Sequence, residues 1–250
     1  MRIKITATPK TKDTCLPLAY NHYLQAFIYS LFREDMPDFH RSGYRYKKRL
    51  FKNFTFSRIT SDKMILANKR WHIGDEICFF ISFYDQKASE TGILNLMSVK
   101  GFRLGSAEFK IKTIKTIFPD EQQLGRYEKS HFNFITLSPI VVYRTQENAT
   151  GKKTIFYTPD KQEFYDLITS NLKRKAKSVG IEAEDDVVIT PVNVDPEKSL
   201  AIVKYKDYYV KGHTGIFSFT GRRDYAKLAL EAGIGSKNAQ GFGMIRMIGN

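Results

Sequence analysis

The order in which strand-like and helix-like segments follow one another is the feature that most constrains the fold of this chain. Residues from Arg2 to Thr8 alternate apolar and polar side chains, as a half-buried strand does. From Tyr20 an apolar stripe at helical spacing runs along the chain until Pro37 ends it. Two strands, a helix and a strand are then predicted near Phe51 to Thr60, Glu76 to Tyr84, Ala88 to Met97 and Phe102 to Ile114. The first half is therefore predicted to have the order β-α-β-β-α-β.

The second half shows the same order, although its residues do not match those of the first half. Phe132 to Tyr143 is predicted to be an apolar strand, and Asp160 is predicted to cap the next helix, with Glu163 at its third position. The remaining predictions are strands at Val187 to Val194 and Leu200 to Val210, a turn at Gly212 into a strand through Phe219, a helix at Arg222 to Ala232, and a closing strand at Phe242 to Ile248. Two split β-α-β units in tandem fit this pattern.

The charge of the chain indicates a polyanionic partner. The net charge is +14 and the sequence pI is about 9.6, which favours nucleic acid over an anionic membrane surface. No apolar run approaches the roughly 20 residues of a membrane span, and Met1 to Lys10 lacks the apolar core of a signal peptide. We therefore expect a cytoplasmic protein that makes no membrane contact. Because Cys15 and Cys78 stand far apart, neither a disulfide framework nor a cysteine zinc site is predicted, and we expect no metal and no cofactor.

Two basic runs are candidates for phosphate contact. Between Phe39 and Ser61 the chain has no acidic residue, and aromatic residues are interleaved with its cations, which are Arg41, Arg45, Lys47, Lys48, Arg49, Lys52 and Arg58. Such a run attracts phosphates and offers rings on which bases stack, although a solvated basic loop is the alternative. The second run, Lys173, Arg174, Lys175 and Lys177, closes a predicted helix. Cations there also stabilise the helix dipole, so both interpretations stay open.

A glycine-rich run at residues 233–243 is more specific. Its four glycines allow tight turns that bring backbone N–H groups against a phosphate, and Lys237 adds a charge. No GK[ST] sequence ends the run and a predicted helix precedes it, so it is not a nucleotide-binding P-loop. The predicted RNA-binding residues of this run are Gly233, Gly235, Ser236, Lys237, Asn238, Gly241 and Gly243. An ordinary glycine turn is the alternative.

Cleavage of RNA without a metal ion needs a proton acceptor, a proton donor and a cation beside the phosphate. His40 is a candidate because it starts the first basic run. Tyr29 is predicted to lie on the side of its helix opposite the apolar stripe, on the face that it shares with His22. Structural or solvent roles are expected for His72, His131 and His213, and the acidic residues Glu182, Glu184, Asp185 and Asp186 match no metal-ligand motif.

Four segments carry a resemblance to a known family. The run at residues 233–243 followed by Met244 and Ile245 resembles a terminal glycine-rich signature that ends in G-F-G. Three further segments agree in sequence and in order, and they are Leu24 to Tyr29, Phe54 to Ser57 and Thr136 to Ile140. With these segments the chain resembles the CRISPR-associated repeat-processing endoribonucleases of the "Cas six" type, in the RAMP superfamily, over essentially its full length.

The resemblance implies an α+β fold of two tandem ferredoxin-like (RRM-like, βαββαβ) domains, at residues 1–125 and 126–250. It implies metal-independent cleavage of CRISPR repeat transcripts (pre-crRNA) by 2′-hydroxyl attack, which leaves 2′,3′-cyclic phosphate and 5′-hydroxyl ends. A Tyr, His and Lys set found in some members corresponds here to Tyr29, His40 and Lys52, and His22 remains an alternative histidine. The expected partner is CRISPR repeat RNA, while contact with effector complex subunits and homodimerisation stay open.

Two alternative functions fit the same features. A non-catalytic RAMP subunit that binds guide RNA within an effector complex also accounts for the charge, the fold and the glycine-rich run. A general single-strand-binding protein would show no preference for a repeat sequence.

Overall fold

A computed structural model describes residues 1–118, 129–148, 151–182 and 187–248 of the 250-residue chain. Four α-helices are described, α1 (Tyr20–Ser30), α2 (Gln86–Ser98), α3 (Gln162–Ser178) and α4 (Arg223–Ala232). Short 3-10 helices lie at Pro37–His40 and Asn238–Gln240. None of the helices in these described ranges is long and apolar enough to cross a membrane.

The strands of the first half form a six-stranded main sheet, a small three-stranded sheet and a two-stranded hairpin. They are β1 (Arg2–Pro9), β2 (Cys15–Pro17), β3 (Tyr44–Tyr46), β4 (Arg49–Phe51), β5 (Phe54–Phe56), β6 (Thr60–Ser61), β7 (Met64–Ala67), β8 (Arg70–Ile73), β9 (Ile77–Phe83), β10 (Gly101–Leu104) and β11 (Ala107–Ile117). The small sheet has the order β2-β8-β7, β3 and β4 form the hairpin, and the main sheet has the antiparallel order β10-β11-β1-β9-β5. Its central strand β1 buries Ile3, Ile5 and Ala7, as the alternating pattern predicts, and these residues pack in one core with Leu24 and Ile28 of α1.

The second half repeats this arrangement. Its strands are β12 (Lys129–Thr136), β13 (Tyr143–Asn148), β14 (Gly151–Phe156), β15 (Val188–Asn193), β16 (Leu200–Tyr205), β17 (Tyr208–His213), β18 (Ile216–Arg222) and β19 (Ile245–Ile248). The main sheet has the order β15-β18-β12-β19, in which the first strand again lies between the third and the fourth. Helices α3 and α4 pack their apolar residues into the core of this half. The predicted α+β fold of two tandem ferredoxin-like units is confirmed, and the predicted domain boundary at residues 125/126 lies outside the described residues.

Two segments that were predicted to be single strands are hairpins instead. The segment Phe102 to Ile114 divides into β10 and β11, because Gly105 adopts a φ of +67° that turns the chain back. The segment Leu200 to Val210 divides into β16 and β17, with Lys206 at the turn in the left-handed region. A lysine at such a position carries no turn signal in the sequence, so this hairpin was not predicted.

Three local predictions in the second half are wrong. Gly212 does not turn the chain but lies inside β17, where Ala201 of the neighbouring strand pairs with it. Asp160 does not cap α3, because the N-cap residue is Lys161 and the Asp160 carboxylate accepts a hydrogen bond from Thr158. The strand predicted over Phe132 to Tyr143 ends at Thr136, before Pro139, which cannot donate to a strand ladder.

Candidate functional site

A cleft of about 1020 Å³ lies between the two halves of the chain. Its walls come from α1, from the end of β4 and the residues that follow it, from β13, from α3 and from the glycine-rich run. The lining residues include Gln25, Tyr29, Arg49, Lys52, Asn53, Tyr143, Arg144, Asp166, Ser170, Asn171, Arg174, Lys175, Ser236, Lys237, Asn238 and Gln240.

The charges along this cleft are strongly unequal. Six lining residues are basic, namely Arg49, Lys52, Arg144, Arg174, Lys237 and the buried Lys175, whereas Asp166 is the one carboxylate in the lining. Field lines from like charges concentrate in a concave site with protein walls. The cleft therefore attracts polyanions.

Tyr29 lies in the wall of this cleft and is partly buried. Its ring meets the ring of Phe54 edge to face at 5.6 Å between centroids, and it packs against the core of the first half. The prediction that this side chain faces away from the core is therefore wrong, because Phe39 and Phe54 extend the core to this side of α1. Burial raises the pKa of Tyr29 to about 12, so its hydroxyl stays protonated at neutral pH.

The structure brings His40 and Lys52 to the same place. His40 ends the 3-10 helix Pro37–His40 and is exposed, and its ring contacts Tyr29 at 4.7 Å between centroids. The Lys52 ammonium donates to the backbone carbonyl of His40, with Nζ and O 2.7 Å apart, and to the carbonyl of Ser42. Partial burial lowers the pKa of Lys52. The three residues of the predicted set thus form one cluster.

His22 lies apart from this cluster. It is seven residues before Tyr29 on α1, which corresponds to about 10 Å along a helix. Its Nδ1 is 2.7 Å from the carbonyl oxygen of Ala19, and its ring contacts Tyr23 and Tyr205. Of the two candidate histidines, His40 is the one in contact with Tyr29.

The glycines at residues 233–243 are required by close packing within the protein. All four have positive φ values, between +68° and +85°. A Cβ on Gly235 would lie 2.8 Å from the carbonyl oxygen of Val141, and one on Gly243 would overlap the carbonyl of Ile234. At Gly241 the ring of Phe56, from the first half, occupies the space of a side chain. The run therefore packs against both halves of the chain.

Most backbone N–H groups of this run that were predicted to face a phosphate donate within the protein. Gly233 donates to Ala229, Ser236 to Val141, Gly241 to Asn238 and Gly243 to Pro139, at 2.8–3.0 Å. The N–H groups of Gly233, Gly241 and Gly243 are therefore not free to bind a phosphate, and the prediction that they do so is wrong. The part of the run that lines the cleft consists of residues 235–240.

Lys237 is the cation that this run presents to the cleft. Its Nζ lies 5.2 Å from the ring centroids of both Tyr143 and Tyr208. Partial burial lowers the pKa of Lys237. A cation between two aromatic rings is suited to a phosphate with a stacked base beside it.

Lys175 is a residue whose role the sequence did not indicate. It is 2% exposed, and its ammonium donates to the carbonyl of Gly233 at 2.6 Å, to Asn238 Oδ1 at 2.9 Å and to the carbonyl of Ala232. The amide of Asn238 in turn donates to the carbonyls of Ile234 and Phe242. Lys175 therefore fixes the glycine-rich run from inside the protein and is not a surface cation.

Only part of the first basic run lines the cleft. The predicted RNA-binding residues Arg41, Arg45, Lys47, Lys48 and Arg49 are all exposed. Of these five, Arg49 lines the cleft, and Arg45, Lys47 and Lys48 lie on the β3–β4 hairpin outside its lining. Whether these residues bind RNA stays a prediction.

Of the acidic run, Glu182 is the one residue that the structure describes. Glu184, Asp185 and Asp186 lie outside the described residues. Within the ranges that are described, no three His, Cys, Asp or Glu side chains come together as metal ligands.

Comparisons with known proteins agree with this fold. A model described as CRISPR-associated protein Cas6, N-terminal, matches residues 15–115, and one described as CRISPR associated protein Cas6, C-terminal, matches residues 120–247. The chain is 28% identical over 234 residues to the CRISPR-associated endoribonuclease Cas6 1 of Methanocaldococcus jannaschii, across 93% of this chain and 87% of that protein. It is also 28% identical over 261 residues to the CRISPR-associated endoribonuclease Cas6 of Pyrococcus furiosus, across 100% of this chain and 91% of that protein.

A solved structure supports the same assignment. The structure of a Cas6-related gene product from Pyrococcus furiosus superimposes with a TM-score of 0.83 at 25% identity, over 99% of this chain and 98% of that one. The C-terminal Cas6 model alone matches more than half of the 250 residues, and the N-terminal model matches residues 15–115 before it. The chain therefore belongs to the Cas6 family of CRISPR-associated proteins.

Proposed function

We propose that this protein is a metal-independent endoribonuclease that cleaves CRISPR repeat transcripts. The observation that carries the proposal is the cluster of Tyr29, His40 and Lys52, in which Tyr29 and Lys52 line a strongly basic cleft and His40, outside that lining, contacts the ring of Tyr29. Its membership of the Cas6 family and the names of its endoribonuclease relatives support the same activity. The repeat RNA lies in the cleft with the bond to be cut beside this cluster.

The proposed reaction is an internal transfer at phosphorus. The 2′-oxygen of the nucleotide before the cut loses its proton and bonds to the adjacent phosphorus, and the bond from phosphorus to the 5′-oxygen breaks. The products are a 2′,3′-cyclic phosphate and a 5′-hydroxyl, so a proton must reach the leaving oxygen. No oxidant, reductant or metal ion enters this balance.

The three residues take different parts in this reaction. Imidazole exchanges protons near neutral pH, so His40 handles a proton of the attacking or the leaving oxygen. Because burial raises the pKa of Tyr29 to about 12, its hydroxyl acts as a hydrogen-bond donor and not as a base at neutral pH. Lys52 stabilises the negative charge of the pentacoordinate phosphorus. Its ammonium exchanges a carbonyl of the His40 loop for the phosphate when RNA binds.

We assign RNA binding to those predicted residues that line the cleft. Arg49 and Lys237, which both line the cleft, contact phosphates, and Ser236 and Asn238 contribute polar side chains from residues 235–240. The buried glycines act by holding this segment in place, and not through their own N–H groups.

The test uses the repeat RNA of the genome that encodes this chain, labelled and incubated with the protein in EDTA. A matched RNA carries a single 2′-deoxy substitution before the cut. Wild-type protein should cleave the first RNA and leave the second intact. His40→Ala should lower the single-turnover rate by about 100-fold, in the range typical of a lost general acid or base, while RNA affinity is retained. His72→Ala, which removes an exposed histidine on β8, is the control and should cleave normally.

The outcomes separate the alternative functions. Cleavage that requires magnesium, or that survives the deoxy substitution, contradicts the mechanism. Equal rates for His40→Ala and His72→Ala contradict only the assignment of His40. Tight repeat binding without any cleavage would identify the non-catalytic guide-RNA-binding subunit, and equal binding of a scrambled RNA would identify a general single-strand-binding protein.

A further inference from the structure

A second groove lies along the outer face of α3. It has a volume of about 590 Å³, and its walls are α3, the start of β15 and the ring of Tyr46 from the β3–β4 hairpin. Three of its lining residues are cations, Lys173, Arg174 and Lys177, and Asp166 is the one carboxylate in that lining. The groove therefore has the same sign of charge as the cleft.

The groove and the cleft share one wall. Asp166, Ser170 and Arg174 line both cavities, so the two are adjacent along α3. A chain lying in the cleft can continue past Arg174 into the groove. A single nucleotide or small anion would fill only a fraction of this combined length, and an extended polymer fits it better.

Arg174 at the junction is surrounded by like charge. Arg49 and Arg144 also line the cleft. Burial, and then the like charges of Arg49 and Arg144, lower the pKa of Arg174. The Nε atom of Arg174 is buried without a hydrogen-bond partner in the described part of the chain. Clustered guanidinium groups repel one another and destabilise a protein that holds no anion there. The planar guanidinium fork matches the oxygens of a phosphate or a carboxylate, so the ligand of this junction is an anion of one of these two kinds.

The other lining residues fit a nucleic-acid strand. Tyr46 and Tyr165 present aromatic rings, and Thr169 and Ser170 present hydroxyl groups along the same helix. Aromatic rings with a basic track are the pattern by which proteins hold single strands without base-specific contacts. An acidic peptide would satisfy the cations but would leave these rings without stacking partners.

We propose that the groove along α3 is a second RNA-binding segment, in which Arg174, Lys173 and Lys177 hold backbone phosphates of the strand that continues out of the cleft. The proposal rests on the proposed function in that the ligand is RNA. It adds a site remote from Tyr29, His40 and Lys52 that contributes affinity and no chemistry. The bound RNA is therefore longer than the cleft alone can hold.

The test measures the affinity of the labelled repeat RNA at several salt concentrations. The slope of log K against log salt is negative, and each lost phosphate contact reduces its steepness, that is its absolute value, by about 0.7 for a single strand. Lys173→Ala/Lys177→Ala, which changes the groove alone, should reduce the steepness of this slope by more than about 1 and weaken binding by about tenfold or more. Lys63→Ala/Arg70→Ala is the matched control, because it removes two exposed cations near the β7–β8 hairpin, away from both cavities.

Further measurements separate binding from chemistry. At saturating protein the single-turnover rate of the groove variant should equal that of wild type. When the RNA is shortened from the end that lies in the groove, wild type and the groove variant should converge in affinity. Arg174→Ala should reduce the steepness of the salt dependence for the long RNA, while Arg70→Ala should not. Thermal unfolding of each variant shows whether its fold is retained.

The outcomes distinguish failure of this proposal from failure of the proposed function. If wild type cleaves the repeat and the groove variant binds like its control, the groove proposal alone is overturned. If wild type binds the repeat without cleaving it and the groove variant has a shallower salt dependence, the groove proposal stands and the proposed nuclease activity is overturned. If poly-glutamate binds the groove and RNA affinity is the same in the groove variant and the control, the groove binds an acidic peptide and the proposal fails.

Discussion

At the scale of single residues, burial can give a side chain a role that its position in the sequence does not indicate. Lys175 stands in a run of cations, yet it lies inside the protein and donates to Gly233 and Asn238. Burial lowers the pKa of Lys175 from 10.5 to about 7. An ammonium in this position is therefore held by carbonyl oxygens at a cost in solvation.

This shift predicts a pH dependence of stability. Between about pH 7 and pH 10.5 the unfolded chain binds a proton at Lys175 that the folded chain does not hold, so the free energy of unfolding rises with pH in this window. The cost of the buried charge is present below about pH 7 and is relieved above it. Lys175→Met removes this titration. The difference in the free energy of unfolding, wild type minus Lys175→Met, should therefore increase from pH 7 to pH 9 in urea titrations.

The control for this prediction is Lys177→Met, which changes an exposed lysine on the same helix. Its difference from wild type should be nearly constant across the same pH range. Parallel curves for wild type and Lys175→Met would contradict the assignment of a perturbed buried lysine.

At the scale of elements, the glycine-rich run is a packed segment of fixed shape. Gly243 combines a φ of +69° with no room for a Cβ beside the carbonyl of Ile234. Gly180, after α3, has a similar φ of +81° and no atom within 4 Å of where its Cβ would be. At both positions an alanine would adopt an unfavourable positive φ. At Gly243 its Cβ would also clash with neighbouring atoms, whereas at Gly180 it would not.

The pair therefore predicts two different losses of stability on substitution by alanine. Gly180→Ala should lower the free energy of unfolding by about 1 kcal/mol, the cost of a left-handed alanine. Gly243→Ala should lower it by roughly 2–5 kcal/mol, because overpacking adds to that cost. Urea unfolding of both variants tests this prediction. Equal losses of free energy of unfolding would show that residues 233–243 move to accommodate the methyl group of alanine.

At the scale of the whole molecule, the order of elements was predictable from the sequence because apolar periodicity is a local signal. The alternation of Ile3, Ile5 and Ala7 corresponds to the central strand of the first sheet. The β16–β17 hairpin was missed because its turn depends on Lys206, which adopts a positive φ without being glycine or asparagine. Tertiary packing stabilises such a turn, and no local pattern marks it.

The site was predictable only in part. The set of Tyr29, His40 and Lys52 came from a family resemblance, and the structure places these residues together. The contact of α1 with the glycine-rich run was not predictable, because Asn21 and Gln25 donate to carbonyls at the opposite end of the chain. Contacts between such distant segments leave no periodicity in the sequence.

These long-range contacts join the two halves. Thr55 donates to the carbonyl of Phe242 at 3.0 Å, and the backbone N–H of Arg58 donates to the carbonyl of Leu137 at 2.9 Å. The ring of Phe56 fills the space beside Gly241. Residues of the second half are packed into the first. If either half unfolded alone, the other half would therefore expose this contact surface to water.

The halves should therefore unfold as one cooperative unit. Trp71, the one tryptophan of the chain, lies in the first half and reports on that half, whereas far-UV circular dichroism reports on both. Gly180→Ala acts only in the second half, and its loss of about 1 kcal/mol should lower the midpoint of thermal unfolding by about 2–4 °C in a chain of this size. Trp71 fluorescence should show the same decrease as circular dichroism. A Trp71 midpoint that stays at the wild-type value would mean that the halves unfold independently, and that the contacts of Thr55 and Arg58 contribute little to stability.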